Sequence, residues 1–594
     1  MIRNILLFSF IYLFFYNSHA QTVEWVNGTG GPGPVDIGRI IETDSQGNVF
    51  VSGSFRDTVS FDPNSNNFDF TAGLFGDAFI QKFDADGNFL WARVFTSDAA
   101  TEYPIMLIDS EDNIYLSAYF EGSIDLDPGP NQDIRTNSAL GFEQSYIVKL
   151  NNDGEYIWGE AFENVSANQY TNIQSISFDS NENVFLAGEF QSTIDLDFGV
   201  GEHLINGPGG SAFFLKIDKD GEFLWAETLL APLEDSFNIT ESLFTPTDEI
   251  LIAGSYYGTD VDFDPGPGQF LFTSPSTNQD LFILKLDNSG NFLWARTAEG
   301  HDPGPFLGIG NEHIFSLDID SNDDIYITGG YSFYINLEPG TSNFILDSGV
   351  PPCTSSCPDY NVPFIAKMSS DGDMIWAKQF DGPHQIVVAQ GNIKRHSNLV
   401  WINEQGDLIY AINPYGTINF EINSVPYSFT STNLYVTFLN VDPTNGEVLN
   451  VFFLGNDQHA WISDLKVYEN IMYVTGGFGG ELFFDPSHSL VSNGNTDAYT
   501  LKIREDSLFT QEFDIEKAIS IYPNPTSDLL HMESPIQDIT SVILYDLQGR
   551  QLNAFYDVSS KSQTLDLSTL SAAIYIVEIE LSNGWRITRK LVKE

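Results

Sequence analysis

The residues able to do chemistry in this chain are mainly carboxylates, and they recur. Ser60-Phe61-Asp62-Pro63, Asp125-Leu126-Asp127-Pro128-Gly129, Asp195-Leu196-Asp197, Asp262-Phe263-Asp264-Pro265-Gly266 and Phe484-Asp485-Pro486 repeat one pattern. Alternating aspartates on a strand point to one face. Two such carboxylates with nearby loop carbonyls make a donor set for Ca2+. Asp125, Asp127, Asp195, Asp197, Asp262 and Asp264 are therefore candidate metal ligands, and Ca2+ is the one cofactor the sequence suggests. A strand-ending turn that presents acid to solvent has the same signature, and both readings stay open. Asn336-Leu337-Glu338-Pro339 and Thr417-Ile418-Asn419 dilute the acidity in later copies. A second motif, Asp84-Ala85-Asp86-Gly87 and its copies at Asn151, Asp218 and Asp287, resembles the start of a calcium loop. It lacks the distal glutamate of such a loop, and Asp, Asn and Gly in this order make a tight hairpin turn.

Signatures of catalysis are absent. There is no His-Glu-x-x-His, no phosphate loop and no nucleophile elbow. Acidic pairs in most copies cannot single out one glycosidase dyad, so no residue is assigned a catalytic role. Cys353 and Cys357 are the only cysteines. In an oxidising compartment they would form a local disulfide pinning one loop. His301, His384, His396, His459 and His488 lie in long, variable connections. The formal net charge of −57 excludes a nucleic-acid partner, which needs a basic face.

The elements that must position these groups come from a repeat. Trp25, Trp91, Trp158, Trp225, Trp294 and Trp376 mark one position in successive units spaced 66 to 82 residues apart. A worn copy ends at Asn450. Each unit reads as four β-strands; in the second they are 104–109, 113–120, 145–151 and 155–162. No segment has helical periodicity. The expected fold is all-β: a seven-bladed β-propeller over residues 21–504. Its last blade takes three strands from 460–504 and its outer strand from about 22–27. Such closure leaves no free sheet edge. The repeated Trp should pack between blades. Lys82, Lys149, Lys216, Lys285, Lys367 and Lys502 share one position in the third strand and should each partner a nearby carboxylate. The long, variable loops gather on one face, and the expectation is a ligand near blades five to seven. Residues 22–505 resemble the SBBP-type β-propeller repeats of secreted bacterial proteins, a resemblance that implies a scaffold rather than an activity.

The chain ends carry addresses. Arg3, an apolar run from Ile5 to Tyr16 and Ser18-His19-Ala20 read as a signal peptide over residues 1–20. The run is too short to span a membrane comfortably, and no other long apolar stretch exists. After a polar linker at 505–517, residues 518–594 read as a small antiparallel, Ig-like β-sandwich. Tyr522-Pro523-Asn524-Pro525, then Asp546, Gly549 and Arg550, then Tyr575, then Lys590 and Lys593 follow in order to the end. This segment resembles the type A C-terminal sorting domain of the type IX secretion system of Bacteroidetes. Ala573 departs from the glycine usual there. The resemblance implies two partners, the outer-membrane translocon and a surface peptidase that removes the domain. The functional expectation is a secreted or surface-attached scaffold that binds a glycan or protein. The alternative is an extracellular hydrolase or lyase acting on glycans.

Overall fold

The computed structural model describes residues 23–593, apart from 505–519 and short stretches of loop, the longest being 301–311, 350–361 and 381–397. The signal-peptide reading and the Cys353–Cys357 pair lie outside the described residues. The described structure is all-β.

Up to Arg504, four-stranded antiparallel sheets follow one another. Sheet one is Ile37–Thr43, Val49–Phe55, Asp77–Phe83 and Phe89–Phe95; sheet two is Thr101–Ile108, Ile114–Phe120, Gln144–Leu150 and Tyr156–Ala161. Sheet three is Tyr170–Phe178, Val184–Asp195, Leu204–Ile217 and Phe223–Leu229; sheet four is Ser236–Phe244, Ile250–Tyr257, Asp280–Leu286 and Phe292–Gly300. Sheet five is His313–Ile319, Ile325–Tyr331, Val362–Met368 and Met374–Gln379; sheet six is Asn398–Ile402, Leu408–Ile412, Val436–Val441 and Val448–Leu454. Sheet seven joins the two ends of this region. Ala460–Tyr468, Ile471–Phe478 and Asp497–Arg504 are completed by Val23–Thr29, with Val23 opposite Ile503 and Thr29 opposite Ala498.

Second and third strands are buried along most of their length, which explains their apolar runs: Val49–Phe55 and Asp77–Phe83 bury every residue. Most first strands carry a bulge, for example between Ile239 and Glu241 and between Ile462 and Asp464. A bulge turns the following side chain.

One element departs from the four-strand reading. The connection between second and third strands forms a further antiparallel hairpin: Thr58–Ser60 with Asp69–Thr71, Ser123–Asp125 with Ile134–Thr136, and their counterparts. Most of its strands are only two to five residues long, too short for alternation to register.

The C-terminal unit has two sheets. One is three-stranded, Ser520–Tyr522, Leu529–Glu533 and Ser562–Asp566; the other is four-stranded, Gln551–Ser560, Ile539–Tyr545, Ala573–Leu581 and Arg586–Lys593. Leu530, Met532, Val542, Leu565, Val577, Ile579 and Leu591 fill its core. Sequence reasoning missed Gln551–Ser560.

Candidate functional site

The first strands of all these sheets line one axial cavity of about 670 Å³. Its walls include Ile40–Glu42, Gln174–Phe178, Thr240–Phe244 and Asp464–Lys466. These residues lie in the later halves of their strands, toward the short first-to-second turns. The cavity is thus biased away from the variable-loop side where the sequence placed a ligand.

The bulges aim acids inward here. Glu241 Oε2 accepts the amide of Leu317 at 2.7 Å, Asp318 Oδ2 that of Ile402 at 2.8 Å, and Asp464 Oδ2 that of Ile41 at 2.9 Å. Each bond runs from one sheet to the first strand of the next. Burial pushes the carboxyls up, Glu241 to about 8 and both aspartates to about 7, against the pull of those amides. Lys466 pairs with Glu42 at 2.6 Å, and the Glu42 charge raises the lysine. Its side chain keeps 39% of its surface accessible, and that surface faces the cavity. Gln174 donates to Glu189, while its Oε1 has no hydrogen-bond partner. The polar groups of the cavity are therefore largely committed to holding neighbouring sheets together.

The recurrent Lys and Trp meet at a second repeated arrangement, a latch. The two stand opposite each other on third and fourth strands, as Lys82 with Trp91 and Lys216 with Trp225. Each lysine is buried against a carboxylate from its own sheet's first-to-second turn: Lys82 with Asp44 at 3.3 Å, Lys149 with Asp109 at 3.4 Å, Lys216 with Asp179 at 2.6 Å, and Lys367 with Asp320 at 3.1 Å. Lys285 uses Glu249, and Lys502 uses Glu24 of the N-terminal strand. Asp44, Asp109 and Asp179 open turns of the form Asp-Ser-x-x-Asn, and one carboxylate oxygen also caps the turn: Asp179 Oδ1 accepts the amides of Asn181 and Asn183. Burial alone would raise Asp179; the Lys216 and Asn183 hydrogen bonds outweigh it and hold the carboxyl below its usual range.

The other end of the latch grips the next sheet. Lys149 and the Trp158 indole N–H both donate to the carbonyl of Lys219, in the Asp218–Gly221 turn of sheet three. Trp25 reaches Ala85, Trp225 reaches Asn288 and Trp376 reaches Pro443 in the same way. Where arginine stands two residues after the Trp, it takes over. Arg93 donates to the Gly154 and Asp153 carbonyls and Arg296 to those of Gly372 and Asp371, and the Trp91 and Trp294 N–H groups have no partner. The turn glycine has φ of +83° at Gly87, and a Cβ there would sit 2.6 Å from the Trp25 ring. Only glycine fits on both counts. The Asp-x-Asp-Gly motif is thus a hairpin turn held by the preceding sheet.

The candidate metal ligands lie at the ends of the accessory hairpins, in three different sheets. Asp125 Oδ1 accepts the amides of Asp127 and Asp133, and Asp127 Oδ1 accepts Gly129. Asp195 and Asp197 repeat this with Asp197, His203 and Gly199, and Asp262 and Asp264 with Asp264, Phe270 and Gly266. Among the described residues, no three His, Cys, Asp or Glu side chains gather in a metal-binding group.

In the C-terminal unit, Asn524 bonds the last strand twice, to the Lys590 carbonyl and the Val592 amide. Arg550 caps Asp546 through backbone and side chain. Tyr575 donates to Ser571, and Lys593 lies 3.8 Å from Asp528. Tyr522 is half exposed. Pro523 and Gly549 lie outside the described residues.

Residues 520–594 match the Secretion system C-terminal sorting domain. The protein is accordingly secreted or displayed at the outer-membrane surface, through the type IX route. An uncharacterised WD repeat-containing protein of Acanthamoeba polyphaga mimivirus is 23% identical over 410 residues, 58% of this chain and 28% of that protein's length. Among solved structures, a polysaccharide lyase of family PL25, an ulvan lyase, is 12% identical over 77% of this chain and 93% of its own, with a TM-score of 0.38. An α-L-arabinanase of Penicillium chrysogenum is 10% identical over 69% and 94%, with a TM-score of 0.30. No helix among the described residues is long and apolar enough to cross a membrane.

Proposed function

We propose that residues 21–504 form a seven-bladed β-propeller that serves as a binding scaffold outside the cell, with a glycan or protein as its partner, and that residues 518–594 form an Ig-like sandwich that is removed on export. The observation that carries this reading is the sorting-domain match at residues 520–594. It dictates where the rest of the chain must work. The internal repeat supports the scaffold half of the reading. Lysine, tryptophan and the axial acids are spent on joining sheets, so the common parts of the repeat build the ring. Departures from the repeat are left for recognition. They are largest in the fifth and sixth units, where the spacing lengthens. The SBBP-type assignment of the repeat belongs to this proposal.

The test has two arms. Surface fractions of the source bacterium should contain the protein, and truncation after Arg504 should leave it in the periplasm. The full mature chain should retain either a glycan on an array or a protein in a cell-surface extract. Failure to retain either overturns the scaffold reading. Depolymerisation of a retained glycan would replace it with the hydrolase or lyase reading.

A further inference from the structure

The latch between sheets one and two brings together three groups able to react with one another. Lys82, on the third strand of sheet one, donates to both oxygens of Asn152, the backbone carbonyl at 3.2 Å and the side-chain Oδ1. Its Nζ also lies 3.3 Å from Asp44 Oδ2. The same carboxylate oxygen accepts Asn152 Nδ2 at 3.1 Å, and that nitrogen also faces the Asp112 carbonyl at 3.4 Å. The orientation of the amide follows: its nitrogen meets two acceptors and its oxygen a donor. Asp44 thus touches the amine on one side and the amide nitrogen on the other. The Lys82 and Asp44 side chains keep 4% and 0% of their surface accessible, and the Phe50 ring lies 4.6 Å from the ammonium. Asn152 is only partly buried, so a small product can leave.

An amine held on Oδ1 is one bond away from the carbonyl carbon, and the packed sheets keep it there. Burial alone would raise Asp44; hydrogen bonds from Asn48 and Asn152 outweigh it, so the group starts as a carboxylate. It can take a proton from Lys82 Nζ and free the nitrogen lone pair. The lone pair attacks Asn152 Cγ, and the Cγ–Nδ2 bond breaks. The proton on Asp44 and a second proton from Nζ go to the departing nitrogen. A lysine ammonium and an asparagine amide become one amide linkage and one ammonium ion, and Asp44 ends as the carboxylate it began as. No oxidant or cofactor is consumed. Other latches lack this set. Lys149 and Lys285 reach backbone carbonyls, of Lys219 and Ser370. Lys216 meets Asn288 Oδ1 and Asp179, but among the described residues Asp179 spends its oxygens on Lys216, Asn181 and Asn183 rather than on the Asn288 amide.

We infer that Lys82 and Asn152 join in an isopeptide bond that ties sheet one to sheet two, with Asp44 carrying the proton. The test is a peptide map of the full mature chain, unfolded and cut with trypsin. Lys82 should resist cleavage. Residues 57–93 should appear joined to residues 150–216, about 17 Da, one ammonia, below the sum of the two peptides. Lys149, Lys216 and Lys285 should be cut normally. Asn152→Ala and Asp44→Asn should each return Lys82 to cleavage, and thermal melts confirm that the variants fold. Cleavage after Lys82 in the unaltered chain overturns the inference, whatever the variants do. A bond that survives Asp44→Asn removes the aspartate from the reaction. A second bond at Lys216 overturns the need for a shared carboxylate.

Discussion

Six junctions between sheets carry the Lys–Trp latch and one does not. At the sixth-to-seventh junction, Asn440 and Asn450 stand opposite each other where every other sheet has lysine and tryptophan. The reason is on the far side. The latch closes on the turn between third and fourth strands, and in sheet seven those strands are Asp497–Arg504 and Val23–Thr29, the two ends of the repeat region. No turn joins them, so there is nothing to grip. The seam is held nearer the axis instead. Buried Asn413 accepts the amide of Ile462 at 2.9 Å and donates to its carbonyl at 3.1 Å. A decayed repeat is therefore not a weakened one. The sixth copy has no Trp where its neighbour has no turn to receive it.

This contrast can be broken at measured points. The largest effect should come from removing residues 21–30. Sheet seven then loses its edge strand, the Glu24 partner of Lys502 and the Trp25 latch, and the cooperative melt of the ring should be replaced by a broad transition or none in calorimetry. Lys216→Met should cost about 3–5 kcal/mol in chemical denaturation, since it leaves buried Asp179 without its partner; Asp179→Asn in the same chain should recover part of this. Trp225→Ala should cost about 2–3 kcal/mol, below the value for full burial because the ring is only partly buried. Asn450→Trp should gain nothing, while Asn413→Leu should cost about 1–3 kcal/mol by stranding the Ile462 backbone groups. A gain from Asn450→Trp would mean that the seam has a surface for the latch after all.

Acidity separates the axis from the latches. Glu241, Asp318 and Asp464 have folded values of about 8, 7 and 7, above their unfolded values. The native state thus holds more protons than the unfolded chain between about pH 4 and 8, and stability falls as pH rises through that window. Asp44, Asp179 and Asp320 are held low, so their contribution is present at neutral pH and is lost only as pH falls below about 4. The melting temperature should rise on going from pH 8 to pH 6, and Glu241→Gln should flatten that rise. The smallest expected effect is that of a chelator. The paired aspartates already cap backbone amides, and EDTA should leave the melt unchanged; a drop of several degrees would support the calcium reading.

Much of the frame was legible in the sequence because it repeats. Tryptophan spacing marked the units, and Val23–Val26 completed the last one. A lysine recurring in buried strands implied a carboxylate, though not which. Asp-Ser-x-x-Asn turns held that answer, but their residues looked like ordinary turn formers. The axial acids were hidden for another reason. Among 82 acidic residues, only the bulge register selects Glu241, Asp318 and Asp464 to face inward, and no composition signal marks a bulge. The strand Gln551–Ser560 was missed because its polar, mixed sequence shows no alternation.

The pairing of Val23 with Ile503 imposes an order of events on folding. Most sheets form from neighbours in sequence and can condense as soon as they emerge. The opening segment cannot settle until almost everything after it has been synthesised and arranged, because its partner directly precedes the linker to the sorting unit. Closure is the least local step, and the slowest to search. While it is pending, Val23–Thr29 is a loose thread, and the unfinished sheet at Asp497–Arg504 offers it the missing edge.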